Sequence, residues 1–345
     1  MVLKVCLALL CLLAASACTG GELQPDPPVQ AEGPTLTLAF AGDVNFENQT
    51  QRLLESDPAA ALGPLASTLS DADLSIVNLE TAITARGTAA KKRYVFRTDT
   101  RAVPALKAAG VDAVSLANNH ALDYGRVGLI DTLTSARRLG MPTLGAGLNT
   151  AQAFTPWRTT VRGIRVAVFG FSQVAELADA WAAGPRRPGL AMAIDHRLAV
   201  AAVRNARKTS DLIIVVPHWG SEFDHCPTRA QEALAADLVS AGTDVILGAH
   251  AHVLQGQGYL GRTFVAYGLG NFLWGADLPV PETRRGGVLR LTLHGRTVVE
   301  REFVPAELSA DTRQSVELTG AESDQERARV NSLRECAGLA RSPVG

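Results

Sequence analysis

The chain has few cysteines, almost no net charge and no long apolar run, and each shortage excludes a class of function. Only Cys226 and Cys336 fall in the body of the 345 residues; Cys6, Cys11 and Cys18 crowd the N-terminal end. No cysteine spacing fits a metal site, so any chemistry here uses oxygen and nitrogen ligands. An oxidising compartment permits a Cys226 to Cys336 bridge, and nothing in the sequence requires one. With Lys+Arg at 33 and Asp+Glu at 34, net charge -1, there is no bulk basic field for nucleic acid and no acidic tail. No segment approaches the roughly 20 apolar residues that cross a bilayer. There is no internal repeat. What is present is 47% hydrophobic residues, enough for a large buried core in one large domain or two ordinary ones.

The N-terminal stretch MVLKVCLALLCLLAASACTGG has a basic Lys4, an apolar run from Val5 to Leu13 and small residues before Cys18. That is the pattern of an export signal. Its ASAC ending resembles a bacterial lipoprotein cleavage box, in which Cys18 becomes the lipidated first residue, although Ala15 replaces the commoner leucine. The alternative is cleavage near Ala17 and plain secretion to the periplasm or beyond. The next residues are rich in Pro, Gly and acid, as a tether is. The expected organisation is a signal peptide over 1–17, a tether over 18–34, a main domain over 35–304 and a C-terminal appendage over 305–345. The expected location is the extracytoplasmic face of the cell membrane, held by the lipid anchor.

Short apolar, β-branched runs recur along the body and alternate with helical patterns. TLTLAFAGD, DADLSIVNLE, VDAVSLANNH, IRVAVFGFS, DLIIVVPHWG, TDVILGAHAH, TFVAYGLGNF and GVLRLTLH read as strands. RVGLIDTLTSARRLG, HRLAVAAVRNARKTS and TRAQEALAADLVSAG carry apolar spacings of three and four, as helices do. The alternation predicts an α/β sandwich of parallel or mixed sheets. The segment ESDQERARVNSLRECAG reads as one further amphipathic helix, a packing element with no motif that carries chemistry.

The strand ends hold more polar residues than turns require. Asp43 and Asn45 end the first run, Asn78 and Glu80 the second, and Asn118, Asn119 and His120 the third; His218 ends the fifth, and His250 with His252 the sixth. In open α/β sheets ligands bind beyond the carboxyl ends of the strands, so these side chains are candidates to converge. Carboxylate, amide and imidazole together suit a pair of divalent ions acting as Lewis acids on a phosphoryl oxygen. Each residue alone also has an ordinary reading, as a turn, a helix cap or a satisfied buried histidine. The pairing in HAH is unusual, because alternate residues of an extended chain point to opposite sides and both rings reach one ion only if the strand has ended.

In the order AGDVNF, NLETAIT, SLANNHALDYG, HWGSEF, GAHAHVLQG and YGLGNFLW, the sequence resembles the bacterial capsule-synthesis family of the CapA or PgsA type, over about Thr35 to Leu293. The resemblance implies a calcineurin-like metallophosphoesterase fold, a β-sandwich of mixed sheets flanked by helices (α-β-β-α). It implies two divalent ions, manganese, iron or zinc: Asp43 and His252 on the first, Asn119, His218 and His250 on the second, and Glu80 between them. By the same resemblance His120 contacts the phosphoryl group or protonates the leaving oxygen. Asn45 stands where phosphoesterases carry a histidine, and Asn78-Leu79-Glu80 replaces their carboxylate pattern; Asn45, Asn78 and Glu222 are then weak ligands or substrate contacts. Trp219 and Glu222 either bind substrate or orient His218. Asp123 and Tyr124 either support His120 or start a helix, and Asn271 either shapes the pocket floor or serves a close turn. Arg97 either meets an anion or is solvated, whereas His196, His225 and His294 read as surface or structural residues.

Three functions follow from this reading. The first is an extracytoplasmic protein with a metal-dependent hydrolase site that helps make, export or trim an anionic polymer such as poly-γ-glutamate, alongside membrane subunits of a polymer synthase. The second is a non-catalytic scaffold of such a synthase. The third is a periplasmic phosphatase or phosphodiesterase acting on a phosphoester.

Overall fold

The apolar runs lack strict alternation because their strands are buried on both faces. A computed structural model of the chain describes residues 34–176, 178–276 and 279–344. The expected signal peptide, the lipidation site Cys18 and all of the tether but Pro34 lie outside these residues. In the strand Thr35–Asn45, Leu36, Leu38 and Phe40 enter a core between two sheets while Ala39 and Ala41 enter an outer core. In Leu212–His218, Leu212, Ile214 and Val216 fill the inter-sheet core while Ile213 and Val215 face the other outer layer. Each strand thus splits its run between two cores by the two-residue period.

The first sheet orders its strands as Ser315–Glu317, Thr297–Leu308, Arg285–His294, Thr35–Asn45, Leu74–Leu79, Ala113–Ser115 and Thr143–Leu144, and Asn271–Trp274 pairs with the end of Thr35–Asn45. From Thr35–Asn45 to Thr143–Leu144 the pairing is parallel. The second sheet orders Gln257–Leu260, Thr263–Ala266, Val245–Leu247, Leu212–His218, Ile164–Ser172 and Trp157–Val161, with its four middle strands parallel. Helices Gln49–Ser56, Ala102–Ala108 and Gly125–Arg138 cover the first sheet, and Arg197–Arg207 and Arg229–Ala241 the second. The result is the expected four-layer α-β-β-α sandwich, with the carboxyl ends of the parallel strands gathered along one rim.

Residues beyond 304 continue this architecture. The strand Thr297–Leu308 runs across that position, and Val304 and Ala306 are part of an outer core. Val330 of the helix Gly320–Cys336 enters the inter-sheet core, and Ala340 exchanges backbone hydrogen bonds with Tyr259 at 2.9 and 2.8 Å. A disulfide joins Cys226 to Cys336, closing a separation of 110 residues. Among the described residues no helix is long and apolar enough to cross a membrane.

Candidate metal centre

Two glycines aim the strand ends. At Gly42 the pairing of the first strand with Leu74–Leu79 shifts register, and a Cβ there would lie 2.0 Å from Gly270 O. This irregularity turns Asp43 to the rim, as β-bulges next to functional sites do. At Gly248, just after Val245–Leu247, a Cβ would lie 1.9 Å from Tyr267 O. The chain then leaves the extended region: His250 and His252 have φ of 98° and 56°. Left-handed backbone at two non-glycine residues costs roughly 1 to 3 kcal/mol each, and it frees the two imidazoles from strand alternation.

The side chains that converge are almost fully buried. Asp43, Asn45, Asn78 and Glu80 are 0% exposed, and His218, His250, His252 and Asn119 no more than 8%. Asn78 Nδ2 donates to Asp43 Oδ1 at 2.8 Å and lies 3.1 Å from Glu80 Oε1. His218 Nε2 lies 3.0 Å from Glu80 Oε1 and 2.9 Å from Asn119 Oδ1. His252 Nδ1 is 3.3 Å from Asp43 Oδ2 and 2.9 Å from Asn271 Oδ1. Asn118 braces the floor, donating to Asn78 Oδ1 and Leu79 O.

Two ligand groups have donor atoms within 4.8 Å of one another: Asp43, Glu80 and His218, and Glu80, His250 and His252. Glu80 belongs to both. This geometric grouping sets His218 with Asp43 and His250 with His252, a different division from the one implied by resemblance. Glu80 Oε2, His250 Nδ1 and Asn45 Oδ1 are buried without a hydrogen-bond partner. Orphaned buried lone pairs are costly; as a mixed oxygen and nitrogen donor set they fit divalent cations.

Charge within the cluster points the same way. Burial pushes the His218 imidazole down to about 3 despite Asp43. Burial also holds His250 well below its usual value, reinforced by the neighbouring His218 and His252. Burial opposes charge on His252 as well, but Glu80 and Asp43 outweigh it and raise that ring to about 9. Without metal, therefore, His252 carries a proton at neutral pH, whereas a metal needs the neutral ring. Cation binding near neutral pH should release about one proton, and affinity should rise by up to about tenfold per pH unit until His252 deprotonates above about 9. Calorimetry in two buffers of different ionisation enthalpy measures that release. Binding with no proton release would contradict this assignment.

His120 stands beside the cluster on a separate support. Its Nδ1 lies 2.7 Å from Asp123 Oδ2, and Asp123 Oδ1 lies 2.9 Å from Lys92 Nζ. Phe96 stacks on the imidazole at 4.2 Å. Burial and then Lys92 keep the ring well below its ordinary value. Burial raises Asp123, against the pull of Lys92, to about 7. Asp123 thus supports His120, while the helix begins at Gly125.

His120, His252, Asn271 and Glu222 line a cleft of about 130 Å³ walled by Tyr94, Phe96, Phe223 and Trp274, with Arg93 at its edge. Glu222 is exposed there. Trp219 is fully buried and donates from Nε1 to Tyr267 O at 2.8 Å, which makes it a support behind Gly248. Arg97 stacks on Tyr124. His196 binds Asp237, and His225 faces Leu254 O, so neither joins the cluster. Sequence reading missed Lys92, Phe96 and Trp274. The segment KKRYVF alternates outward cations with inward Lys92, Tyr94 and Phe96, a period-two signal too short to stand out.

The family model described as bacterial capsule synthesis protein PGA_cap matches residues 37–276. The chain is 28% identical over 281 residues to the PGA biosynthesis protein CapA of Bacillus subtilis, covering 80% of this chain and 73% of that protein. It is 38% identical over 179 residues to the capsule biosynthesis protein CapA of Bacillus anthracis, covering 50% and 42%. It is 34% identical over 202 residues to a probable polyglutamine synthesis accessory protein of Mycobacterium tuberculosis, covering 56% and 52%. The chain thus spans about half or less of the latter two. Among solved structures, a phosphatase of Mycoplasma pneumoniae matches with a TM-score of 0.51 at 14% identity, covering 80% of this chain and 94% of that one. A putative 5'-nucleotidase of Staphylococcus aureus matches with a TM-score of 0.50 at 16% identity, covering 87% and 58%. These likenesses show the fold, that of calcineurin-like metallophosphoesterases.

Proposed function

The chain belongs to the bacterial capsule synthesis family, and from that premise we propose that it is a metal-dependent hydrolase acting outside the cytoplasmic membrane on an anionic polymer such as poly-γ-glutamate. The observation that carries the hydrolase reading is Glu80, a buried carboxylate shared by two ligand groups and left with an orphaned oxygen. Two divalent ions, of manganese, iron or zinc, would be held by Asp43, Glu80, Asn119, His218, His250 and His252. They would supply Lewis-acid polarisation of the scissile group. Asn78 orients the carboxylates of Asp43 and Glu80, Asn271 orients His252, and Asn45 would offer its unpartnered Oδ1 as a weak ligand or substrate contact.

The chain's own residues provide the proton chemistry. Asp123 and Lys92 hold the Nδ1 edge of His120, which leaves Nε2 as the edge available to the cleft. From that edge the ring would contact the phosphoryl group or protonate the leaving oxygen, and a bound anion beside it would favour the charged ring that the acid role needs. Phe96 stacks on the ring face and fixes its orientation.

Lipidation at Cys18 would tether the protein to the membrane, near membrane subunits of a polymer synthase. The Cys226–Cys336 bond supports export, because such bonds persist in oxidising compartments. Metal-loaded protein is expected to hydrolyse a generic phosphodiester or the polymer itself, and the double variant His250→Ala, His252→Ala to lose that activity. Turnover surviving in the variant would refute the mechanism. A scaffold reading is favoured by the amides Asn45, Asn78 and Asn119, which are weaker ligands than imidazole or carboxylate. It predicts polymer binding with no turnover across a broad ester and amide panel.

A further inference from the structure

A cationic cluster lies along the last helix, on residues that take no part in the metal centre. Arg301, on the strand Thr297–Leu308, and Arg334, in the last turn of the helix Gly320–Cys336, reach toward one amide. Arg301 Nη2 and Arg334 Nη1 both donate to Asn331 Oδ1, each at 3.5 Å. One neutral oxygen at the limit of hydrogen bonding therefore serves two guanidiniums. Arg341 joins them beyond the helix, and with Asn331, Ser332, Arg334 and Leu339 it lines a groove of about 460 Å³.

Among the described residues none of the three arginines forms an ion pair with a carboxylate. Burial and the nearby Arg334 and Arg341 push Arg301 below its usual value, and only the Tyr259 phenol opposes them. Acid is not scarce in the neighbourhood: Arg329 on the same helix pairs with Glu326 at 2.5 Å, and Arg296 with Asp244 at 2.7 Å. Glu335 lines the groove but is exposed and forms no ion pair with the three arginines among the described residues. A favourable position at a helix C-terminus accounts for Arg334 alone. It does not account for a half-buried Arg301 beside it or for Arg341 across the groove.

We propose that Arg301, Arg334 and Arg341, with the Asn331 side chain, form a binding site for a phosphate-type oxyanion, drawn from a soluble polyphosphate or from an anionic lipid headgroup. Guanidinium forks match phosphate oxygens in bidentate geometry. Rotation of the Asn331 amide would add its Nδ2 as a neutral donor. The site stands apart from hydrolysis, so it survives or fails independently of the metal reading.

The test is titration of inorganic pyrophosphate into chelator-treated full-length protein by calorimetry, with co-sedimentation on phosphatidylglycerol and phosphatidylcholine vesicles alongside. Arg334→Gln and Arg341→Gln should each weaken binding by about tenfold or more, while His250→Ala should leave it unchanged. Arg341 is exposed, so its variant tests the site even if Arg301→Gln does not fold. Arginine-dependent binding of pyrophosphate identifies a soluble ligand; arginine-dependent binding only to phosphatidylglycerol vesicles identifies a headgroup. Failure of wild type to bind either probe, equal binding in the arginine variants, or loss in His250→Ala overturns the proposal.

Discussion

Glu80→Gln is expected to strip metal from both ligand groups at once. The carboxylate is common to the two groups, with Oε1 3.0 Å from His218 Nε2 and Oε2 3.9 Å from His252 Nε2. Glutamine keeps the shape but places an N–H donor or a weaker oxygen where each ion needs charge. Asp43 belongs only to the group that includes His218, although its Oδ2 also lies 3.3 Å from His252 Nδ1, so Asp43→Asn should weaken that group most and cost less metal than Glu80→Gln. Hydrolysis should fall by about a thousandfold in Glu80→Gln, equivalent to about 4 kcal/mol of lost transition-state stabilisation. The metal-free fold should still form, because glutamine keeps the shape and an oxygen acceptor for Asn78 Nδ2, and His252 sheds its proton once the carboxylate facing it is gone. Metal-induced stabilisation, worth about 2.7 kcal/mol at a hundredfold excess over Kd, should vanish in thermal melts. A variant that melts early without metal, yet still gains stability with it, would show that Glu80 serves packing instead.

The largest effect on stability is expected from the disulfide. Cys226 sits in the loop that carries Glu222 and Phe223 to the cleft, and Cys336 ends the last helix. Closing a loop of 110 residues constrains the unfolded chain, and bridges of this span contribute about 3 to 5 kcal/mol. In Cys226→Ser, Cys336→Ser the Tm should drop by roughly 5 to 10 °C. Metal content should persist, since the bridge holds none of the six expected ligands. The loop keeps other ties: Phe223 N donates to Ala251 O at 2.8 Å, and Gln255 Nε2 donates to Asp224 O at 2.7 Å. An unchanged Tm would mean that these ties, and not the bond, hold the loop.

Much of the centre was legible because doubly buried parallel strands read as unbroken apolar runs. A polar residue at the end of such a run stands out, which is how Asp43, Asn45, Asn78, Glu80, Asn118, Asn119, His120, His218, His250 and His252 became candidates; the choice of six ligands among them came from the family resemblance. Their division into groups was not legible. It depends on the register shift at Gly42 and on left-handed backbone at His250 and His252; Gly42 and Gly248 mark where the chain departs from a strand but not which side chains then meet. Lys92 was invisible for a different reason: a lysine between two other cations reads as solvated surface, and only the fold turns it inward to Asp123. The strand Thr297–Leu308 escaped because the charged run Glu300-Arg301-Glu302 interrupts its alternation, so residues past 304 looked peripheral. In the fold they complete the first sheet and lock the last helix to the second.

The central claim is that the strand-end cluster holds metal, and elemental analysis of the purified protein tests it most directly. Wild type, loaded in turn with manganese, iron and zinc, should retain about two equivalents of a divalent ion, and His250→Ala, His252→Ala should retain none. Wild type that retains no metal after loading with each ion, or a variant that binds as much as wild type, would contradict the account.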